Sequence, residues 1–234
     1  MHERVLRQSD LAACIGRLLA HELADECLSP DELFKLIGAV TNRHRQIARA
    51  AARDLQAFVT RDPSSEDYLA ALLNQKGFRA LQLHRVAHEL WLEGESTIAR
   101  YLHGRMAMVF AIDIHPAARI GSGILIDHGT GIVIGETAVI DDDVSMLHGV
   151  TLGGTGKVAG DRHPKVREGV MIGAGATILG NVEIGVGSKV AAGSVVLKSV
   201  PPHTTVAGVP AQIVGHPAED RPSLAMVQDI RDDG

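Results

Sequence analysis

Thirteen aliphatic side chains fall on a grid of six residues between Ile114 and Val196, and no other feature constrains the fold as much. Ile114, Ile120, Ile126 and Ile132 share one register. After a two-residue slip it continues through Ile134, Ile140, Met146 and Leu152. A Gly-rich polar segment then breaks it, and it resumes at Ile172, Ile178, Ile184, Val190 and Val196. Glycine directly follows the aliphatic at Gly121, Gly135, Gly153, Gly173 and Gly185. A small or β-branched residue recurs four places on, as at Ala118, Val144, Ala176 and Ser194. Such a short repeat is the signature of a parallel β-helix. Each unit supplies one flat face, three units make a turn, and the repeating aliphatic stacks on its copy in the next turn. One coil cannot bury its own ladder, but stacked coils share a core. A β-sandwich alternates with period two, which does not explain this grid.

Residues 1–112 carry helical spacing instead. Leu11, Ile15, Leu18 and Leu23 form one stripe. Ser29-Pro30-Asp31-Glu32 is a complete helix start, with a hydroxyl cap, proline in the first turn and a glutamate positioned to bond back. Ile47, Ala51, Leu55 and Phe58 continue to a stop at Pro63, and Ser64 with Asp67 suggests another cap. Leu83, Val86, Ala87 and Leu90 mark a further helix, and Ile98 to Ile112 a last one. The expected fold class is α+β: an all-α N-terminal domain (1–112), a β-helix (113–210) with an extended loop (154–169), and a C-terminal tail (211–234). From about His216 the tail is charged and lacks periodicity, which predicts mobility.

A net charge of −5 argues against nucleic acid or an anionic membrane as the main partner. No apolar run reaches membrane-spanning length and no signal-peptide pattern is present, so a cytoplasmic protein is expected. Cys14 and Cys27 lie in the helical region and suggest no disulfide framework. His84 and His88 are four apart and could share a helix face as metal ligands, but nothing nearby completes the set, so no metal is expected. Gly153 to Lys157 superficially suggests a phosphate loop, but no Ser or Thr follows the lysine and no helix is expected after it. The whole segment is too long for a coil corner, and long loops on rigid scaffolds commonly carry function.

His128 and His148 lie within repeats and His163 on the loop. Asp127 adjoins His128, and Asp113 precedes it by fifteen residues, so the two occupy neighbouring levels of the stack and could face each other. A carboxylate on one imidazole nitrogen fixes the tautomer and leaves the other nitrogen as a general base near neutral pH.

The runs Asp113-Ile114-His115-Pro116, Asp127-His128-Gly129-Thr130-Gly131, Gly135-Glu136-Thr137-Ala138, Val150 to Lys157, Gly160-Asp161-Arg162-His163-Pro164-Lys165 and Val206 to Ala211 resemble bacterial and plant serine O-acetyltransferases. The similarity reaches back through Arg61-Asp62-Pro63 and Lys76-Gly77-Phe78. The resemblance implies a left-handed β-helix and transfer of acetyl from acetyl-CoA to L-serine, the first step of cysteine synthesis. Carried over residue by residue, it makes His128 the base, Asp113 its orienting carboxylate, Asp62 and Asp127 the ammonium contacts, Arg162 the carboxylate grip, and His163 its neighbour at the reacting end. It puts acetyl-CoA in a groove between two β-helices of a homotrimer, along Gly154, Thr155, Ala174 and Ala192, with Lys189 near the phosphates. L-Cysteine, which shares serine's ammonium and carboxylate, is the implied inhibitor.

Two departures bear on partners. Family members carry a longer N-terminal segment that helps join two trimers into a hexamer, so a trimer is the expectation here. Members that bind cysteine synthase end in isoleucine, whereas this sequence ends Asp232-Asp233-Gly234. A buried Ile is worth about 1.5–3 kcal/mol, so that partner is expected to bind weakly if at all. Two other readings remain: an acyltransferase with a different hydroxyl or amine acceptor, and a β-helix zinc lyase of carbonic-anhydrase type using His128, His148 and His163.

Overall fold

A computed structural model describes residues 7–64, 67–156 and 159–229. Before the repeat it has helices Leu11–Leu23 (α1), Pro30–Arg43 (α2), Gln46–Arg61 (α3), Tyr68–Asn74 (α4), Lys76–Leu92 (α5) and Ser96–Phe110 (α6). The start of α2 is the expected capping box. Ser29 N–H donates to Glu32 Oε2 at 2.8 Å while Glu32 N–H reaches Ser29 Oγ. At α4 the cap is Asp67 alone, accepting from Ala70 N–H at 2.7 Å. Ser64 instead closes a turn on Asp62 Oδ1. The last helix stops at Phe110 rather than Ile112, because Ala111 adopts a left-handed cap (φ 54°) that swings Ile112 into the first strand. None of the described helices is long and apolar enough to cross a membrane.

The grid of six becomes a three-faced parallel solenoid. On the first face Ile114, Ile134, Leu152, Ile178 and Val196 stack in one inward ladder. On the second, Ile120, Ile140, Val166 and Ile184 do the same, and Val200 bridges on below. On the third, Ile126, Met146, Ile172, Val190 and Val206 form the remaining ladder. All but the half-buried Ile120 are buried. The repeat resumes after the loop at Val166, one unit earlier than Ile172. The two-residue slip sits where the third face of the first coil turns into the first face of the second, and there the chain bulges through His128, Gly129 and Gly131, all with positive φ.

The helical domain meets the solenoid through a buried polar lock. Asp54 accepts from Ile124 N–H (3.0 Å), Gln82 Nε2 (3.0 Å) and Arg85 Nη2 (2.7 Å), and Arg85 Nη2 also donates to Gly121 O at 2.6 Å. A paired buried charge of this kind fixes one docking geometry, since removing one partner strands the other.

The C-terminal segment is docked, not mobile, through Asp229. Residues 211–215 pair antiparallel with Thr205–Gly208, and Pro222–Ala225 forms a short helix (α7). Ser145 Oγ donates to Ser223 O at 2.8 Å, and Arg221 reaches Glu168 at 2.7 Å. Together with α3 and α5 this segment covers the outer side of the third face, where Leu125, Ser145, Met171, Lys189 and Thr205 are all buried. Residues 230–234 lie outside the described residues.

Candidate active site

The candidate residues gather on two edges of the solenoid, separated by the first face. At the edge between the third and first faces, Asp127 and His128 occupy the bulge. His128 has φ 56°, a conformation in which histidine is several-fold enriched among non-glycines. Its side chain is 72% exposed, with Asp127 Oδ1 3.8 Å from its Nε2. His148 stacks below it edge-on, with ring centroids 5.8 Å apart. The helical domain presses on this edge. Lys76 Nζ donates to Thr130 Oγ1, and a Cβ on Gly77 would stand 2.1 Å from Ile126 O, so only glycine fits at the head of α5. Asp62, at the end of α3, accepts from the backbone N–H and hydroxyl of Ser64 at 2.8 and 2.7 Å.

At the edge between the first and second faces lie Gly135, Glu136, Thr137, Arg162 and His163. Thr137 Oγ1 accepts from the backbone N–H groups of Arg162 (3.0 Å) and His163 (3.1 Å). Its own backbone N–H donates to His163 Nδ1 at 3.1 Å, and the hydroxyl lies 2.8 Å from the same nitrogen. With Nδ1 accepting, the neutral ring carries its proton on Nε2. Burial, reinforced by the Arg162 charge, pushes the His163 pKa down and favours this neutral form. The Nε2 edge rests against Gly135, where a Cβ would come within 2.1 Å of it. Arg162 Nη2 donates to Glu136 Oε2 at 2.7 Å, and this bond holds the Glu136 carboxyl below its usual range.

The sequence matches the family described as serine acetyltransferase, N-terminal, over residues 1–83, and the bacterial transferase hexapeptide repeat over residues 163–198. A serine acetyltransferase of Salmonella typhimurium is 52% identical over 227 residues, covering 97% of this chain and 83% of that one. The chain belongs to the serine acetyltransferase family. Among solved structures, a serine acetyltransferase in complex with cysteine superposes with a TM-score of 0.96 at 48% identity, covering 98% of this chain and 90% of that one. The serine acetyltransferase of Brucella abortus in complex with coenzyme A superposes at 0.90 with 49% identity, covering 92% and 86%. The expected helical domain and hexapeptide solenoid are therefore those of a serine acetyltransferase.

Within one chain the serine acetyltransferase motifs do not converge on one point. Asp127, His128, Ala174 and Ala192 follow the first edge, while Arg162, His163, Gly154 and Thr155 follow the second. Asp113 points outward from the face between them, 51% exposed, and its Oδ1 accepts from His103 Nε2 at 2.6 Å rather than from His128. Lys189 departs from the expected set. It is 5% exposed on the outer side of the third face, and its ammonium donates to the backbone carbonyl of Asp229. Burial pulls its pKa down, as befits a lysine sealed under the C-terminal segment instead of lining a groove.

No cluster of three metal-ligating side chains occurs among the described residues. His84 is buried on the helical side, and His88 Nδ1 donates to Pro116 O at 2.7 Å. Within one chain His163 stands a face away from His128 and His148, so the three imidazoles do not meet there. Lys157, the cation of the weak phosphate-loop pattern, lies outside the described residues. Sequence reasoning assigned no role to Glu136, Thr137 or His103. The run Gly135-Glu136-Thr137-Ala138 carried the signal for the first two, as a polar pair interrupting the aliphatic–glycine rhythm.

Proposed function

We propose that the protein transfers the acetyl group of acetyl-CoA to the hydroxyl of L-serine, in a site completed between two protomers of a homotrimer. The observation that carries this reading is the distribution of charge over two edges of one face. A zwitterionic amino acid needs an anion for its ammonium and a planar cation for its carboxylate. Asp127 lies on one edge and Arg162 on the other, on the order of 15 Å apart at about 3.3 Å per extended residue. Side-by-side packing of solenoids brings the first edge of one protomer to the second edge of the next.

In this reading His128 takes the proton of the serine hydroxyl as its oxygen bonds to the thioester carbonyl carbon. The tetrahedral adduct then collapses with cleavage of the C–S bond, and the imidazolium returns the proton to the departing CoA sulfur. Such a base contributes roughly 10²–10⁴-fold. Asp113 orients His128, Asp62 and Asp127 hold the ammonium, and Arg162 grips the carboxylate. His163 offers its Nε2–H at the reacting end. Gly154, Thr155, Ala174 and Ala192 flank acetyl-CoA, and small side chains there leave room for a pantetheine arm. Cys14 is buried and Cys27 lies in the turn between α1 and α2. Both belong to the helical domain, which favours direct transfer over a thiol acyl-enzyme. L-Cysteine presents the same ammonium and carboxylate and competes for the same contacts.

The test is thiol release from acetyl-CoA with L-serine, homoserine, threonine and a sugar panel, beside His128→Ala. Release with serine that largely disappears in the variant supports both substrate and base. Folded protein without serine-dependent release overturns the substrate, and release that survives loss of His128 overturns the base.

A further inference from the structure

The left-handed cap at Ala111 folds the first strand back along α6, so Asp113 lies beside His103, ten residues earlier in the chain. A carboxylate can only accept here, so His103 Nε2 carries the proton of the 2.6 Å bond to Oδ1. His103 is held from behind. Its ring meets His115 edge-on with centroids 5.9 Å apart, His115 packs on Trp91 at 5.2 Å, and Arg100 caps Trp91. His115 Nδ1 accepts from Ala117 N–H at 3.1 Å, which fixes that ring as well. Asp113 Oδ2 makes no hydrogen bond among the described residues, and the residue is exposed on the outer side of the first face.

We propose that His103 is a positioning residue for the acetyl transfer, clamping Oδ1 of Asp113 so that Oδ2 is presented to His128. The inference rests on the reading of Asp113 as the carboxylate that orients His128. A half-exposed aspartate rotates freely about two side-chain bonds, and tying down one oxygen against a rigid aromatic stack removes most of that freedom before substrate arrives. Orienting groups act through geometry, and displacements near 1 Å cost on the order of 10²-fold in rate. In the same reading Asp127, 3.8 Å from His128 Nε2, is assigned to the substrate ammonium, which leaves Asp113 as the orienting carboxylate.

The experiment compares kcat and KM of the full chain with His103→Ala, His103→Gln, Asp113→Ala and the double variant His103→Ala/Asp113→Ala. Circular dichroism and sizing confirm that each is folded. Glutamine places an amide N–H near the position of Nε2 and keeps the bond without the ring. The expected result is a kcat about tenfold lower in His103→Ala, with KM for serine and acetyl-CoA within about twofold. His103→Gln should recover to within about threefold of the parent, and the cost of His103→Ala should vanish when Asp113 is already alanine. Full kcat in folded His103→Ala overturns the proposal, as does a tenfold loss that persists in the Asp113→Ala background. Full activity in Asp113→Ala alone overturns the reading of Asp113 itself, and with it any role for the clamp.

Discussion

If the site is shared between protomers, two inactive variants should rescue each other. His128→Ala removes the base from one edge, with a loss of roughly 10²–10⁴-fold. Arg162→Ala removes a charged hydrogen-bonding grip on the other edge, worth about 1.5–3 kcal/mol, or roughly 10–150-fold in kcat/KM. Co-expression of the two with different affinity tags, followed by sequential purification on both, yields only mixed trimers. In a ring of three, a mixed trimer has one junction where a protomer with intact His128 meets a neighbour with intact Arg162 in the productive direction. About one site in three is therefore whole. Serine-dependent thiol release at subsaturating serine should return to about one-third of the parental kcat/KM, whereas each variant alone stays at or below about one-tenth. The same preparation should elute at the trimer position on a sizing column. Mixed trimers no more active than the mean of the two single variants would refute the shared site, because that is the outcome when both edges serve the same chain.

Other consequences follow from the second edge and the buried imidazoles. Gly135→Ala would place a methyl 2.0 Å from His163 Cδ2, so the imidazole must move; serine turnover is expected to fall about 10²-fold while circular dichroism stays unchanged, and near-parental activity would contradict the placement of His163. Thr137→Val keeps the shape but leaves the N–H groups of Arg162 and His163 without their acceptor, so urea unfolding should show a loss of about 1–3 kcal/mol, and an unchanged midpoint would mean the loop is anchored elsewhere. Burial holds the pKa of His84, His115 and His163 below the usual imidazole value of 6.5. The unfolded chain then binds more protons than the folded one just below that value, so this contribution to stability is complete above about pH 6.5 and is lost as the pH falls. Melting temperatures should therefore drop between pH 7.5 and pH 5, and a rise on acidification would show that these rings are charged in the folded state.

The inward ladders were legible because each is written by a local spacing repeated many times, and one coil predicts the next. The departures were less legible wherever a partner lies far along the chain. The segment after His216 has no apolar period, yet it docks through Ser145 to Ser223 and through Arg221 to Glu168. These pairs span 78 and 53 positions and leave no trace in a window of neighbouring residues. Lys189 was misplaced for the same reason, since its burial depends on a segment some forty residues later. Asp113 was singled out from its spacing to His128, but its bond to His103 was not foreseen. Its bond to His103 depends on the sharp reversal at Ala111, and alanine gives no warning of a left-handed conformation. Resemblance supplied the proposed roles of Asp62, Arg162 and His163. Spacing alone could not have joined a helix end, a loop and two solenoid edges.

The interruptions of the repeat coincide with the proposed catalytic and binding residues, and the fold gives a physical reason. A strict six-residue unit uses its aliphatic for the core and its small residues for the corner, which leaves little freedom to present a polar group at a chosen angle. Two extra residues at the slip let the chain bulge, and the bulge carries Asp127 and His128. The longer insertion between Leu152 and Val166 brings Arg162 and His163 back onto the coil above, where Thr137 holds them. Both insertions leave the ladders unbroken, because each begins and ends at an inward aliphatic that stays in register: Ile126 to Ile134 for the slip, Leu152 to Val166 for the loop. Deleting two residues from the bulge should therefore preserve the solenoid and its melting transition while removing activity. Shifting the register by one residue instead would turn the aliphatics outward and unfold it.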